Sequence, residues 1–121
     1  MKFWVVKKGN KSVRDILIKD KDGNIVTNLS NAEEIIFQVK KEKTDVVIKI
    51  EKTLDDGIEV DTPSEGYLRI TLKPTDTEIN VGNYFMALQI KWNEIDVYEI
   101  KITIDNKEAE HFSIKQDIIN Y

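Results

Sequence analysis

The chain has 121 residues, the length of one domain, and we expect residues 1–121 to fold around a single hydrophobic core. It contains no cysteine and one histidine, which excludes disulfide bonds, cysteine nucleophiles and zinc sites built on cysteine or on paired histidines. Its 18 basic and 22 acidic residues give a net charge of -4. This charge argues against nucleic acid as a partner, because neutralising phosphates requires a basic face.

The first residues do not have the pattern of a targeting segment. The apolar stretch Phe3–Val6 is followed by Lys7 and Lys8, whereas a signal peptide needs about 7–15 apolar residues. No stretch approaches the roughly 18 apolar residues of a transmembrane helix. We therefore expect a protein that is made in the cytoplasm and does not bind a membrane.

Apolar and polar residues alternate with a period of two along most of the chain. Ile35, Phe37 and Val39, for example, share one face, with Ile36 and Gln38 on the other. A helix would instead repeat its apolar residues at spacings of three and four. The alternation predicts strands near residues 2–7, 13–19, 34–40, 45–52, 57–60, 67–72, 83–92, 97–104 and 109–116.

The same alternation predicts which side chains enter the core. In strand 45–52 it directs Val46, Ile48 and Ile50 inward. The aromatic residues predicted to point inward are Phe37, Tyr84, Trp92 and Tyr98. Phe3, Trp4 and Phe85 fall outside this pattern, and the sequence leaves open whether they belong to the core or to an interface.

Turn residues separate the predicted strands. Asp22-Gly23 and Asp56-Gly57 are hairpin-turn dipeptides, because the central positions of such turns favour positive φ. Residues 75–79 are the only segment predicted to form a turn of helix. Turn signals recur about every ten residues, which is typical of a sandwich or a barrel. The sequence therefore predicts an all-β fold, an immunoglobulin-like antiparallel sandwich of about eight to nine strands, with a small barrel as the alternative.

Several polar groups in the sequence are candidates for a functional site. Asp20, Asp22 and Asn24 alternate like the first ligands of a calcium loop, but the glycine and glutamate that complete such a loop are absent. His111 has no recognisable nucleophile or orienting partner in the sequence. The acidic pairs Asp55-Asp56 and Glu33-Glu34 fall in a turn and at a strand start, where solvated carboxylates are ordinary. We therefore expect no catalytic, metal-binding or cofactor-binding residue, and no enzymatic activity.

Four stretches carry a family resemblance. They are RDILIKDKDGNIVTNLS, FQVKK, LKPTDTEINVGNYFMALQI and EHFSIKQDI. The third is the most specific, with a pattern of Leu-x-Pro-x-Asp-Thr followed by Gly-x-Tyr at Leu72, Pro74, Asp76, Thr77, Gly82 and Tyr84. Together they resemble the N-terminal domain of phage baseplate upper proteins and related small virion proteins of phages of Gram-positive bacteria.

This resemblance implies a non-enzymatic structural protein of a phage or prophage virion, in the tail or baseplate. Its partners would be other virion proteins or further copies of itself. Two departures from the family pattern are visible: Gly9-Asn10 stands where the family often has Gly-Asp, and the long fibre-bearing region of baseplate upper proteins does not follow Tyr121. The alternative is a bacterial binding module, for example for carbohydrate, which would need an exposed aromatic platform or a cation site.

Overall fold

The computed structural model describes residues 3–20, 22–60, 65–104, 107–108 and 110–116. Nearly all regular structure in this part of the chain is β-strand, so the all-β prediction is confirmed. The 3-10 turn Leu29–Asn31 is a short helical element between β2 and β3. The strands are β1 (Phe3–Lys7), β2 (Ser12–Lys19), β3 (Glu34–Lys40), β4 (Ile50–Leu54), β5 (Gly57–Val60), β6 (Tyr67–Leu72), β7 (Gly82–Lys91), β8 (Val97–Ile104), β9 (Lys107–Glu108) and β10 (His111–Lys115).

Most predicted strands lie within one or two residues of the observed ones. The exception is the strand predicted at 45–52, because residues 45–49 form a loop and β4 begins only at Ile50. The helical turn predicted at 75–79 is wrong as well: residues 74–77 form a hydrogen-bonded turn that does not continue as a helix. Positions 2 and 109, where two strands were predicted to begin, lie outside the described residues.

The strands form one hydrogen-bonded ladder that returns on itself. Its order is β1-β10-β7-β3-β4-β5-β6-β2-β8-β9, and β7 also pairs with β8. One side of β7 pairs with β3, while the other side pairs with β10 near its start and with β8 near its end. The sheet is therefore nearly closed into a barrel-shaped sandwich, which combines the two predicted architectures. Most pairings are antiparallel, but β1 pairs with β10 in parallel.

The segment from β4 to β5 makes the corner at which the ladder passes from β3 to β6. Asp56-Gly57 was predicted to make an antiparallel hairpin, but β4 and β5 instead meet in a short parallel pairing of Thr53 with Gly57. Gly57 has a φ of 99°, which residues with a side chain rarely adopt. A Cβ atom placed there would lie 2.5 Å from Cδ of Lys52. The corner therefore requires glycine for both its backbone and its packing.

The inward faces of the strands form a continuous apolar core. Its buried side chains are Trp4, Val6, Ile16, Ile18, Leu29, Ile35, Phe37, Val39, Ile50, Ile58, Leu68, Ile70, Leu72, Tyr84, Met86, Leu88, Ile90, Ile102, Phe112 and Ile114. Removing these groups from water is the main favourable contribution to folding. Trp92 is half-buried at the margin of this core.

Three inward predictions are wrong. Tyr98 is 53% exposed, and its hydroxyl donates a hydrogen bond to Asp96. Val46 and Ile48 are also exposed, because they precede the point at which β4 begins to pair with β3. Period-two alternation therefore located most of the core, but it failed at Val46 and Ile48, which precede the ladder, and at Tyr98, which is paired with Ile90 within it.

Candidate functional site

The hairpin after β2 uses its acidic residues to hold a turn. Oδ1 of Asp20 accepts hydrogen bonds from the backbone N–H groups of Asp22 at 2.9 Å and Asn24 at 3.0 Å. Gly23 adopts a φ of 85°, as the predicted turn requires. Over the residues that the structure describes, no group of three or more His, Asp or Glu side chains is arranged to hold a metal ion.

His111 lies on β10, and its side chain is 18% exposed. Its ring centre is 5.1 Å from that of Phe85, and its Nε2 is 3.7 Å from Oε1 of Glu110. The other oxygen of Glu110 forms a 2.7 Å ion pair with Lys43, which lowers the pKa of Glu110. The acidic pairs Asp55-Asp56 and Glu33-Glu34 also lie in structural positions. Asp55 lies in the β4–β5 turn, and a carboxylate oxygen of Glu33 is 3.8 Å from Nζ of Lys91.

The sequence left open whether Phe3, Trp4 and Phe85 belong to the core or to an interface, and the structure gives them different environments. Trp4 is only 1% exposed and packs against Phe37 and Phe112, with ring centres 5.6 and 5.5 Å away. Its Nε1 donates a hydrogen bond to Oγ of Ser12, so Trp4 belongs to the core rather than to an interface. Phe85 is half-buried beneath His111 and Nζ of Lys43. The side chain of Phe3 lies outside the described residues.

The residues that carry the family resemblance in LKPTDT fix the turn after β6. Oδ2 of Asp76 is 2.7 Å from Nζ of Lys52, a buried lysine on β4. Oγ1 of buried Thr77 donates to the carbonyl oxygen of Asn10 at 2.8 Å, and the carbonyl of Thr77 accepts from the N–H of Gly9. The turn is thereby attached to β4 on one side and to the β1–β2 loop on the other. These polar groups hold the fold together rather than facing a ligand.

Strand β1 has an open side. It ends the ladder, and β10 is its only strand partner in the described part of the chain. The N–H of Lys8 donates to the carbonyl of Lys115 on the β10 side. Because backbone groups alternate in direction along a strand, Trp4 and Val6 also direct their N–H groups toward β10. Val5 and Lys7 therefore direct their N–H groups toward the open side.

A second surface lies beside the loop of residues 41–49. A cavity of about 600 Å³ opens there, and its lining includes Val46, Val47, Val81 and the ring of Tyr84. Its charged lining residues are Lys41, Lys49 and Asp45, so positive charge is in excess. We call it the basic cavity. Within the described residues, the backbone groups of Val46–Ile48 make no hydrogen bond, although this β-branched run has high strand propensity.

A third surface lies at the far end of β7, in the turn of residues 93–96, which we call the acidic tip. Ile95 is 89% exposed at this turn. Oδ1 of Asn93 accepts hydrogen bonds from the N–H groups of Ile95 and Asp96, both at 2.9 Å. The side chain of Glu94, which is 85% exposed, forms a 3.1 Å ion pair with Lys91 and raises the pKa of that lysine. The turn is therefore ordered while its apolar residue faces solvent.

The exposed tyrosines do not form one aromatic platform. Tyr67 and Tyr98 are both exposed, but they lie on β6 and β8, which β2 separates.

No helix in the described residues is long and apolar enough to span a membrane. No protein-family model and no curated protein sequence matches the chain.

Proposed function

We propose that this protein is a non-enzymatic structural component of a phage or prophage virion, made in the bacterial cytoplasm and built into the tail or baseplate. The open side of β1 supports this proposal most directly. An unpaired strand edge is a template on which another chain can add a strand, and proteins usually block such edges unless they use them. The family resemblance points to a virion as the assembly, and the open side of β1 offers a surface for contact with a neighbouring subunit.

The composition of β1 favours use of its edge. Trp4 and Val6 anchor the strand in the core, so its position is fixed before any partner arrives. Val5, which is 48% exposed, presents a β-branched side chain beside the outward N–H groups. The strand carries neither the proline nor the inward-pointing charge that commonly blocks an edge. A pre-ordered edge lowers the entropic cost of adding a partner strand.

The virion role is tested by analysing the particles themselves. Virions purified from the encoding phage, or from its induced prophage, should contain this protein in stoichiometric amount by mass spectrometry. Deletion of its gene should yield particles with defective tails by electron microscopy and a loss of infective titre. Particles that lack the protein and infect normally would contradict the proposal. Neighbouring genes for polysaccharide degradation, together with binding to a glycan array, would favour the carbohydrate-binding alternative instead.

The role of the edge is tested by a matched pair of variants. Val5→Pro removes an N–H that points to the open side while leaving the N–H groups that bond to β10. Proline is tolerated at such an edge position. Val5→Thr keeps the N–H and the branched side chain. If β1 accepts a partner strand, the Val5→Pro phage should lose titre while Val5→Thr retains it, with both purified variants folded by circular dichroism. Equal titres for the two variants would exclude strand addition at this edge.

A further inference from the structure

Among the described residues, the two most exposed aliphatic side chains lie near opposite ends of one strand. Val46 is 92% exposed beside the basic cavity, and Ile95 is 89% exposed at the acidic tip. The cavity borders the start of β7 through Val81 and Tyr84, whereas the tip follows the end of β7 at Lys91. A ten-residue strand spans about 33 Å. The two apolar surfaces are therefore too far apart to contact each other within one molecule.

The two surfaces carry opposite charge. Residues 40–49, which contain the cavity loop, have four lysines and two acidic residues. Asp45 lines the cavity and accepts the N–H of Glu42, whereas Lys41 donates to the carbonyl of Asn83 and Lys43 pairs with Glu110. Lys49 adds a second positive charge to the lining. The end of β7 that bears the tip instead brings together Glu33, Glu34, Glu94 and Asp96, with Lys91 between them.

The two surfaces also match in shape. The acidic tip presents Ile95 on a turn that is already fixed by Asn93, so little ordering is needed when it binds. The basic cavity is concave, and its walls include the valines Val46, Val47 and Val81. Apolar side chains that enter a pocket surrounded by complementary charge are the usual centre of a protein interface.

We propose that copies of this chain associate head to tail, with Ile95 of one copy inserted into the basic cavity of the next. Glu94 and Asp96 of the tip would then face Lys41 and Lys49 of the cavity. Because the two surfaces differ, each copy retains one free surface after a contact forms, and repetition gives a ring or a filament. This inference is independent of the open side of β1 and of the virion role, since it concerns only contacts between copies.

The decisive experiment uses two variants with complementary defects. Val46→Ser impairs the cavity and keeps the tip, whereas Ile95→Ser impairs the tip and keeps the cavity. Both residues are almost fully exposed, so both variants should melt at the wild-type temperature. In light scattering, the wild-type molar mass should rise with concentration, and each variant alone should stay monomeric, with association at least about tenfold weaker. An equimolar mixture of the two variants should form a heterodimer and nothing larger.

Charge reversal provides a second readout. Lys49→Glu and Glu94→Lys should each weaken association, and the chain that carries both should regain it, because the opposite charges still face each other. Added salt should weaken wild-type association. Val13→Ser, which removes an exposed valine from β2, should leave association unchanged. A wild-type chain that stays monomeric at millimolar concentration would overturn the proposal, as would a mixture of the Val46→Ser and Ile95→Ser variants that forms no heterodimer.

Discussion

Among single residues, Lys52 is the charged side chain with the least contact with water in the described part of the chain. Its ammonium group lies 2.7 Å from Oδ2 of Asp76, and the same oxygen accepts the backbone N–H of Lys73 at 2.7 Å. A buried charge is costly unless it is paired. Asp76 therefore makes it possible for Lys52 to lie beneath the β4–β5 corner, next to Gly57. The sequence marked Asp76 as part of a family pattern, and the structure gives it this stabilising role.

We predict that Asp76→Ala destabilises the protein by about 3–5 kcal/mol, because it leaves the buried ammonium group of Lys52 without a partner. Urea denaturation followed by tryptophan fluorescence measures the loss. The matched control is Asp15→Ala, which breaks the 2.9 Å pair between Asp15 and Arg69, two side chains that are both more than a third exposed. The control should cost less than about 1 kcal/mol. Equal losses in the two variants would show that Lys52 is solvated.

Among the elements, the loop that precedes β4 shows why an alternating sequence pattern can fail to predict a strand. Val46, Ile48 and Ile50 alternate as a strand should, but only Ile50 has a partner, Val39 on β3. Since β3 ends at Lys40, no strand remains opposite the two earlier residues. Alternation shows that a segment has the side-chain pattern of a strand. To form a strand, the segment must also pair with a neighbouring strand. The basic cavity arises from this mismatch, so the sequence could not predict it.

The two sides of β1 should differ in amide hydrogen exchange. We predict that the amides of Val5 and Lys7 exchange markedly faster than those of Trp4 and Val6, because only the latter pair donates to β10. Two-dimensional NMR of the monomer in deuterated buffer measures all four rates. Slow exchange at Val5 in a verified monomer would mean that another segment of the chain covers the open side, and the proposed strand addition would lose its basis.

The ion pair between Lys43 and Glu110 attaches the 41–49 loop to the start of β10, and it should respond to pH. The hydrogen bond from Lys43 lowers the pKa of Glu110 below its usual value of 4.5, and His111 adds a smaller effect in the same direction. A lowered pKa in the folded state contributes stability above pH 4.5, and this contribution is lost as the pH falls through the folded pKa.

We therefore predict that Lys43→Met raises the pKa of Glu110, as followed by its side-chain carboxyl carbon in an NMR titration. The variant should be slightly less stable than the wild type at neutral pH, and the difference should vanish in acid. Methionine keeps an apolar stem over the Phe85 ring, which limits the change to the charge. An unchanged Glu110 titration would show that the pair does not form in solution.

For the whole molecule, the sequence predicted the strands and most of their inward faces, but not how the ladder closes. Pairings such as Leu88 with Ile100 follow from a local hairpin, whereas Trp4 with Phe112 joins the two ends of the sequence. No local pattern encodes such a pairing. This is why Trp4 seemed to lie outside the core: its partner aromatic residues, Phe37 and Phe112, come from distant strands. The acidic tip and the basic cavity also emerge only once β7 places them at opposite ends.

The parallel pairing of β1 with β10 determines how the fold bears mechanical load. Phe3, the first residue of β1, and Lys115, the last residue of β10, lie at opposite ends of this pair, because the two strands run in the same direction. Tension applied through those residues acts along both strands, so their hydrogen bonds are loaded together in shear rather than opened one at a time. We expect single-molecule pulling through these two points to require a much higher force than pulling across the β7–β8 hairpin. The β1–β10 pair would therefore be the part of the fold that resists unfolding most strongly when tension is applied between Phe3 and Lys115.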